Sequence, residues 1–206
     1  MFTGIVTAIG VLEERSSLQE GLRLRISSQY ESESLKMGAS ISCSGICLTV
    51  VALSEKGVRM PWFEVEAWEE TLRLSTLSFW KIGERINLER SLKIGDELGG
   101  HLVYGHIHGI SEIIAAQDEG LARRFKIQLP ANLASFVIPK GSIALNGTSL
   151  TVNFVNKSIF DVLLTRYTLD MTIWGESRVG DFLNTEVDML ACYGIYKDKI
   201  GCYDGK

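Results

Sequence analysis

Ser44-Gly45-Ile46-Cys47-Leu48-Thr49-Val50 and Asn146-Gly147-Thr148-Ser149-Leu150-Thr151-Val152 agree at their glycine and at a closing Leu-Thr-Val. Each has a lysine and a turn glycine upstream: Lys36 and Gly38, then Lys140 and Gly141. Downstream, Glu70-Thr71-Leu72 pairs with Tyr167-Thr168-Leu169. Gly83-Glu84-Arg85-Ile86-Asn87-Leu88-Glu89 then pairs with Gly180-Asp181-Phe182-Leu183-Asn184-Thr185-Glu186, sharing G-x3-N-x-E. At the front, Gly4-Ile5-Val6 pairs with Gly105-His106-Ile107. Chance could give one such pair; several in the same order mark a duplication. The unit is roughly ninety residues long, and two copies are too few for a stacked solenoid. Two closed units are expected instead, 1–98 and 99–188, with 189–206 as a separate tail.

The units read mainly as strand. Leu22-Arg23-Leu24-Arg25-Ile26, Phe63-Glu64-Val65-Glu66-Ala67, Arg85-Ile86-Asn87-Leu88-Glu89 and Phe125-Lys126-Ile127-Gln128-Leu129 alternate apolar and polar residues, the period of a half-buried strand. The doubled Leu-Thr-Val is rich in β-branched residues. Glycines punctuate the runs. An all-β unit of this size removes its exposed edges by closing into a small barrel. Short helices are expected near Ser32 to Lys36 and Thr71 to Leu77, matched by Ala131 to Val137 and Leu169 to Trp174. In the tail, Met189-Leu190-Ala191-Cys192-Tyr193 can begin a helix, which Gly194 and Gly201 weaken.

The charge balance, 21 Lys and Arg against 25 Asp and Glu, gives no basic surface for a nucleic-acid partner. No apolar run approaches the ~18 residues that cross a bilayer, so no membrane partner is expected. The start lacks the pattern of a secretory signal. Cys43, Cys47, Cys192 and Cys202 show no disulfide framework and read as free thiols in a reducing cytoplasm. The C-x3-C of Cys43 and Cys47 lacks the further ligands of a tetrahedral metal site, so no metal is expected.

At the seam between the copies stands Gly99-Gly100-His101-Leu102-Val103-Tyr104-Gly105-His106-Ile107-His108-Gly109, with all three histidines of the chain. Histidine shuttles protons near neutral pH. It equally often bonds a backbone carbonyl and orders a loop, and His108 reads as a surface or barrel-lip residue.

Met1-Phe2-Thr3-Gly4-Ile5-Val6, the two heptapeptides and Gly99 to Ile107 together resemble the riboflavin synthase family, over nearly the whole chain. The resemblance implies two tandem six-stranded antiparallel Greek-key barrels with short helices, and a C-terminal helix gathering a homotrimer. It implies active sites between the N-terminal barrel of one chain and the C-terminal barrel of its neighbour. The implied reaction converts two molecules of 6,7-dimethyl-8-ribityllumazine into riboflavin and 5-amino-6-ribitylaminouracil, without cofactor or metal. Two similar pockets suit two identical reactants, and holding them as a near-attack pair is worth about 7–11 kcal/mol at best.

By the same resemblance, His106, His101, Cys47, Ser40 and Asp188 are the candidate catalytic residues. Substrate-lining positions are Gly4, Ile5 and Val6 with their twins Gly105, His106 and Ile107; Cys47, Leu48 and Thr49 with Ser149, Leu150 and Thr151; and Lys140. A further lining segment is Glu66-Ala67-Trp68-Glu69-Glu70-Thr71, with Thr165-Arg166-Tyr167-Thr168-Leu169-Asp170 as its partner. Several have plain alternatives. Cys47 can be a small strand hydrophobe, Leu48 and Leu150 core residues, Lys140 a solvated turn, and Asp188 a helix cap. Arg166-Tyr167 stands where the family has Pro-Glu. The alternative function is a non-catalytic lumazine- or flavin-binding protein of the same fold. Ser149, Thr151, His106 and Lys140 favour the enzyme, because the binders lose polar groups of the second barrel.

Overall fold

In the computed structural model, residues 1–31 and 34–199 are described. Part of the helix expected near Ser32 to Lys36 lies outside them, as do Cys202 and the end of the tail. The first repeat supplies β1 (Ala8–Leu18), β2 (Gly21–Ser27), β3 (Ser40–Cys43), β4 (Ile46–Leu53), β5 (Trp62–Trp68) and β6 (Arg85–Arg90). The second supplies β7 (Gly109–Glu119), β8 (Ala122–Gln128), β9 (Ser142–Leu145), β10 (Thr148–Asn156), β11 (Ile159–Leu164) and β12 (Phe182–Val187). Each set closes into an antiparallel barrel, in the orders β1-β2-β5-β4-β3-β6 and β7-β8-β11-β10-β9-β12. The chain is therefore all-β in two tandem six-stranded barrels with the same crossed connection.

Closure follows from the alternation read in the sequence. Along β5, Phe63, Val65 and Ala67 enter the core, while Glu64 and Glu66 meet Arg25 and Arg23 of β2 on the outer face. Bulges bend the strands at matching places: Leu12/Glu14 and Val50/Ala52 in one barrel, Ile113/Ala115 and Val152/Phe154 in the other. Such extra residues raise local twist and let a short strand turn a barrel corner. Each barrel has its own apolar core, around Leu24, Ile41 and Phe63 in the first and around Ile127, Phe160 and Trp174 in the second. Trp174 lies 5.0 Å from the Phe125 ring, and its indole N–H donates to Thr148 Oγ1 at 3.1 Å.

Short helices α1 (Glu69–Leu74) and α2 (Arg166–Met171) follow β5 and β11, each continuing into a 3-10 turn, Thr76–Phe79 or Ile173–Glu176. Ala131–Phe136 is a further 3-10 turn, where a short helix is expected. The tail forms α3 (Met189–Lys199) despite Gly194. Its start is fixed by Asp188, whose Oδ1 accepts from Leu190 N at 2.9 Å and whose carbonyl accepts from Cys192 N at 3.2 Å. No helix among the described residues is long and apolar enough to cross a membrane.

The two heptapeptides open on the β3–β4 and β9–β10 turns, and these turns stack on one another. Both central residues of each turn have positive φ: Ser44 and Gly45, then Asn146 and Gly147, the geometry that matches strand twist in a two-residue hairpin. A Cβ on Gly45 would stand 2.8 Å from the Gly147 nitrogen, and one on Gly147 2.7 Å from that of Gly45. Only glycine allows this approach. The asparagines of G-x3-N-x-E lock the stack from both sides. Asn87 Nδ2 donates to the Asn146 carbonyl at 2.8 Å, and its Oδ1 accepts from Ile173 N at 2.9 Å. Asn184 Nδ2 donates to the Ser44 carbonyl at 2.9 Å, and its Oδ1 accepts from Thr76 N at 2.7 Å. Each asparagine thus reaches from its own barrel into the other.

Candidate active site

The glutamates of the same motif hold the segments that lead into each barrel. Glu89 accepts from Thr3 N at 2.6 Å, Thr3 Oγ1 at 2.8 Å and Gly4 N at 2.9 Å. Glu186 accepts from Tyr104 N and Gly105 N at 2.7 Å and from His106 N at 3.0 Å. Burial raises both carboxyls, that of Glu186 to about 7, while the donated N–H groups pull them down. Neither glutamate is among the site residues read from the sequence; the repeated N-x-E was the signal available.

Each held segment then crosses to the opposite barrel. Gly4 O accepts from Ser149 N at 2.7 Å, and Gly105 O accepts from Cys47 N at 2.8 Å. A Cβ at Gly4 would come within 2.6 Å of Ser149 Cβ, and one at Gly105 within 2.6 Å of Cys47 Cβ. Phe2 and Val103 exchange backbone hydrogen bonds where the two segments pass. Consequently the second repeat's Gly105-His106-Ile107 lies on the first barrel, and Gly4 of the first repeat lies on the second. Sequence pairing alone does not show this exchange.

The exchange builds two unlike half-sites. On the first barrel, Cys47, Glu70 and Thr71 face Gly105, His106 and Ile107 across a cavity of 230 Å³. His106 is exposed to it, with the Tyr104 ring 6.2 Å away. His108, read from the sequence as a surface or barrel-lip residue, is half-buried. Burial, then the nearby His106, lowers its pKa, and its Nδ1 is buried without a hydrogen-bond partner among the described residues.

On the second barrel, His101 Nδ1 and Ser149 Oγ lie 2.7 Å apart. His101 is 9% exposed; burial holds its pKa down against the opposing charge of Asp188. The neutral ring is therefore favoured, and its Nε2 is buried with no partner among the described residues. A neutral imidazole on a serine hydroxyl can accept a proton. Asp188 caps α3 and also lies close enough for its charge to act on His101.

The remaining candidates are distributed around these centres. Ser40 lines a different hollow from Cys47, one of 770 Å³ with Thr3, Ile5, Glu89 and Gly99. Thr49 is exposed on the outer face, in register with Ser40 and Glu66. Glu66 is engaged by Arg23 at 2.5 Å. The side chains of Leu48, Leu150 and Ala67 belong to the cores, so only their main chain can face a ligand. Val6 is half-buried, Trp68 and Glu69 are exposed, and Thr151 is exposed on β10. Lys140 takes a left-handed φ of +68°, as Gly38 does at +77° in the first copy. Thr165 caps α2 by accepting from Thr168 N, Leu169 packs on the second core, and Arg166 pairs with Asp170 at 2.9 Å. Tyr167 is 74% exposed where the first copy has Glu70. A further cavity of 550 Å³ lies between the barrels beside Ser44 and Asn146, and no predicted site residue lines it. Cys43, Cys47 and Cys192 are free thiols, and burial pushes Cys43 strongly up. No group of three metal-ligating side chains gathers among the described residues.

Known proteins match this arrangement. The family model described as Lumazine binding domain matches twice, over residues 3–91 and 104–188. Riboflavin synthase of Brucella abortus is 58% identical over 193 residues, covering 94% of this chain and 96% of that protein. Riboflavin synthase of Mycobacterium tuberculosis is 37% identical over 94% of this chain and 96% of its own length. The crystal structure of LumP complexed with riboflavin superposes with a TM-score of 0.79 at 23% identity, over 91% of this chain and 100% of that one, a likeness of fold. With its duplicated lumazine-binding domain and relatives matched along nearly their full length, the chain belongs to the riboflavin synthase family.

Proposed function

We propose that the chain catalyses the dismutation of two 6,7-dimethyl-8-ribityllumazine molecules to riboflavin and 5-amino-6-ribitylaminouracil. One reactant gives a four-carbon unit to the other. Reactants and products contain the same atoms, so no outside oxidant, reductant or cofactor is consumed. The observation that carries this reading is the pair of unlike half-sites, His106 with Cys47 and His101 with Ser149, on two otherwise repeated barrels. Identical reactants need such an asymmetry to become donor and acceptor.

One reactant must lose a proton from its C7 methyl group, giving a delocalised anion; the other must take a nucleophile at C7. His101 serves as base toward Ser149 or a water beside it, with Asp188 stabilising the imidazolium that forms. His106, exposed in its cavity, handles the proton in the other half-site, where the hydroxyl of Thr71 and the carboxylate of Glu70 lie close to a bound ring and its ribityl chain. Thr49, Thr151, Lys140, Ser40 and Glu66 contribute polar contacts around the two sites. Stacking two rings between half-sites supplies the orientation term of the rate.

The half-sites lie on different barrels, and a neighbouring copy in a homotrimer brings one against the other. Leu190 and Tyr193 of α3, 71% and 65% exposed, offer apolar surface for that assembly. The units 1–98 and 99–188 then act as paired binding domains. The free thiols of Cys43, Cys47 and Cys192, among the described residues, suit a reducing cytoplasm. The test is direct. Purified protein given the dimethyl-ribityllumazine alone should develop riboflavin fluorescence; persistent substrate with no product at saturation would refute the proposal.

A further inference from the structure

We propose that Glu186 is a positioning residue: it fixes His106 of the second repeat against Cys47 of the first barrel. The inference rests on the reaction assigned above and adds a residue that the chemistry itself does not touch. Three successive backbone N–H groups, from Tyr104, Gly105 and His106, converge on its carboxylate at 2.7, 2.7 and 3.0 Å. Glu186 is 2% exposed, so these donors are its solvation. Gly105, in the middle of the triad, passes the constraint on, because its carbonyl accepts from Cys47 N at 2.8 Å. The chain from β12 to the Cys47–His106 cavity is therefore a short run of charge-assisted and backbone bonds.

The twin arrangement shows what is particular to Glu186. Glu89 also grips its leading segment, but through two N–H groups of Thr3 and Gly4 and the Thr3 hydroxyl, and Ile5 follows. A shared fold role thus has two different outcomes: one carboxylate delivers an aliphatic residue, the other a titratable one. Several charged or titratable groups bear on His106. They are Glu70 and Cys47 across the cavity, Tyr104 and His108 on its own segment, and Glu186 itself. Of these, Glu186 bonds the backbone of His106 directly. Glutamine at 186 would keep one acceptor oxygen and turn an N–H₂ donor toward N–H donors, so the three-point grip cannot survive the exchange.

The experiment compares Glu186→Gln, Glu186→Asp and the twin Glu89→Gln in the full-length protein, by steady-state kinetics and by backbone amide NMR of Tyr104, Gly105 and His106. For Glu186→Gln the expectation is a fall in kcat of about 100-fold, the scale of a 1 Å misplacement, with KM held within about threefold. Glu186→Asp, which keeps the charge on a shorter arm, should recover part of that loss. The three amide signals should move in both Glu186 variants and stay in place in Glu89→Gln. Folded Glu186 variants whose kcat stays within about threefold of the parent would overturn the inference, as would amide signals that do not move. So would kcat and KM changing in proportion to lost thermal stability. If Glu186→Gln does not fold, the aspartate variant alone decides. If the parent protein forms no riboflavin, the reaction assignment fails, while the amide signals still decide the positioning role.

Discussion

Glu186 also links folding to pH. Its carboxyl is 2% exposed and rises in the fold from an ordinary 4.5 to about 7, chiefly by burial. A raised carboxyl binds protons more tightly folded than unfolded. The stability it contributes is therefore complete below pH 4.5 and is lost as pH climbs through about 7. Urea unfolding of the parent and of Glu186→Gln should diverge across that window, the parent losing on the order of 3 kcal/mol more than the variant between the two limits. Parallel stability curves would mean that the three N–H donors hold the carboxyl near its unfolded value. At this scale the structure brings His101 to Ser149 and sets His106 and Cys47 on one cavity, while Ser40 lines a different hollow. The sequence was unreadable where a side chain serves the backbone. Glu89 and Glu186 look like charged ends of exposed strands, yet both are buried.

Among the elements, the alternating runs gave the barrel strands, and the paired landmarks gave the duplication. The β4 and β10 strands fall on the doubled Leu-Thr-Val, and α1 and α2 on the doubled Thr-Leu. The closure order, the bulges and the stacking of the two turns depend on contacts between residues far apart in the chain, which local pattern does not encode. The asparagine clamps illustrate this. Asn87 and Asn184 read only as the shared residue of the G-x3-N-x-E repeat, but each satisfies donors and acceptors in the opposite barrel. Replacing Asn184 by Ala strands the Ser44 carbonyl and the Thr76 N–H in a buried interface. The expected loss is about 2–6 kcal/mol, from two unsatisfied groups at roughly 1–3 kcal/mol each. Chemical denaturation measures it; a loss below about 0.5 kcal/mol would show that water or a local shift replaces both bonds.

Across the whole molecule, the duplication explains why one chain carries two half-sites. The exchange of Gly4 and Gly105 between barrels puts each leading segment on its neighbour, so the barrels are bound to each other through the same residues that shape the chemistry. The half-site with His106 and the one with His101 belong to different barrels of a chain, and the proposed function has a second copy complete each. Co-expression tests this most directly. One chain carries His106→Ala with an intact His101–Ser149 pair; the other carries His101→Ala with Ser149→Ala and an intact His106. Each alone should be nearly inactive. In a random equal mixture, about one composite site in four combines two intact halves, so roughly a quarter of parental turnover should return. A mixed assembly as inactive as its components would place both histidines in one site of one chain and contradict the account.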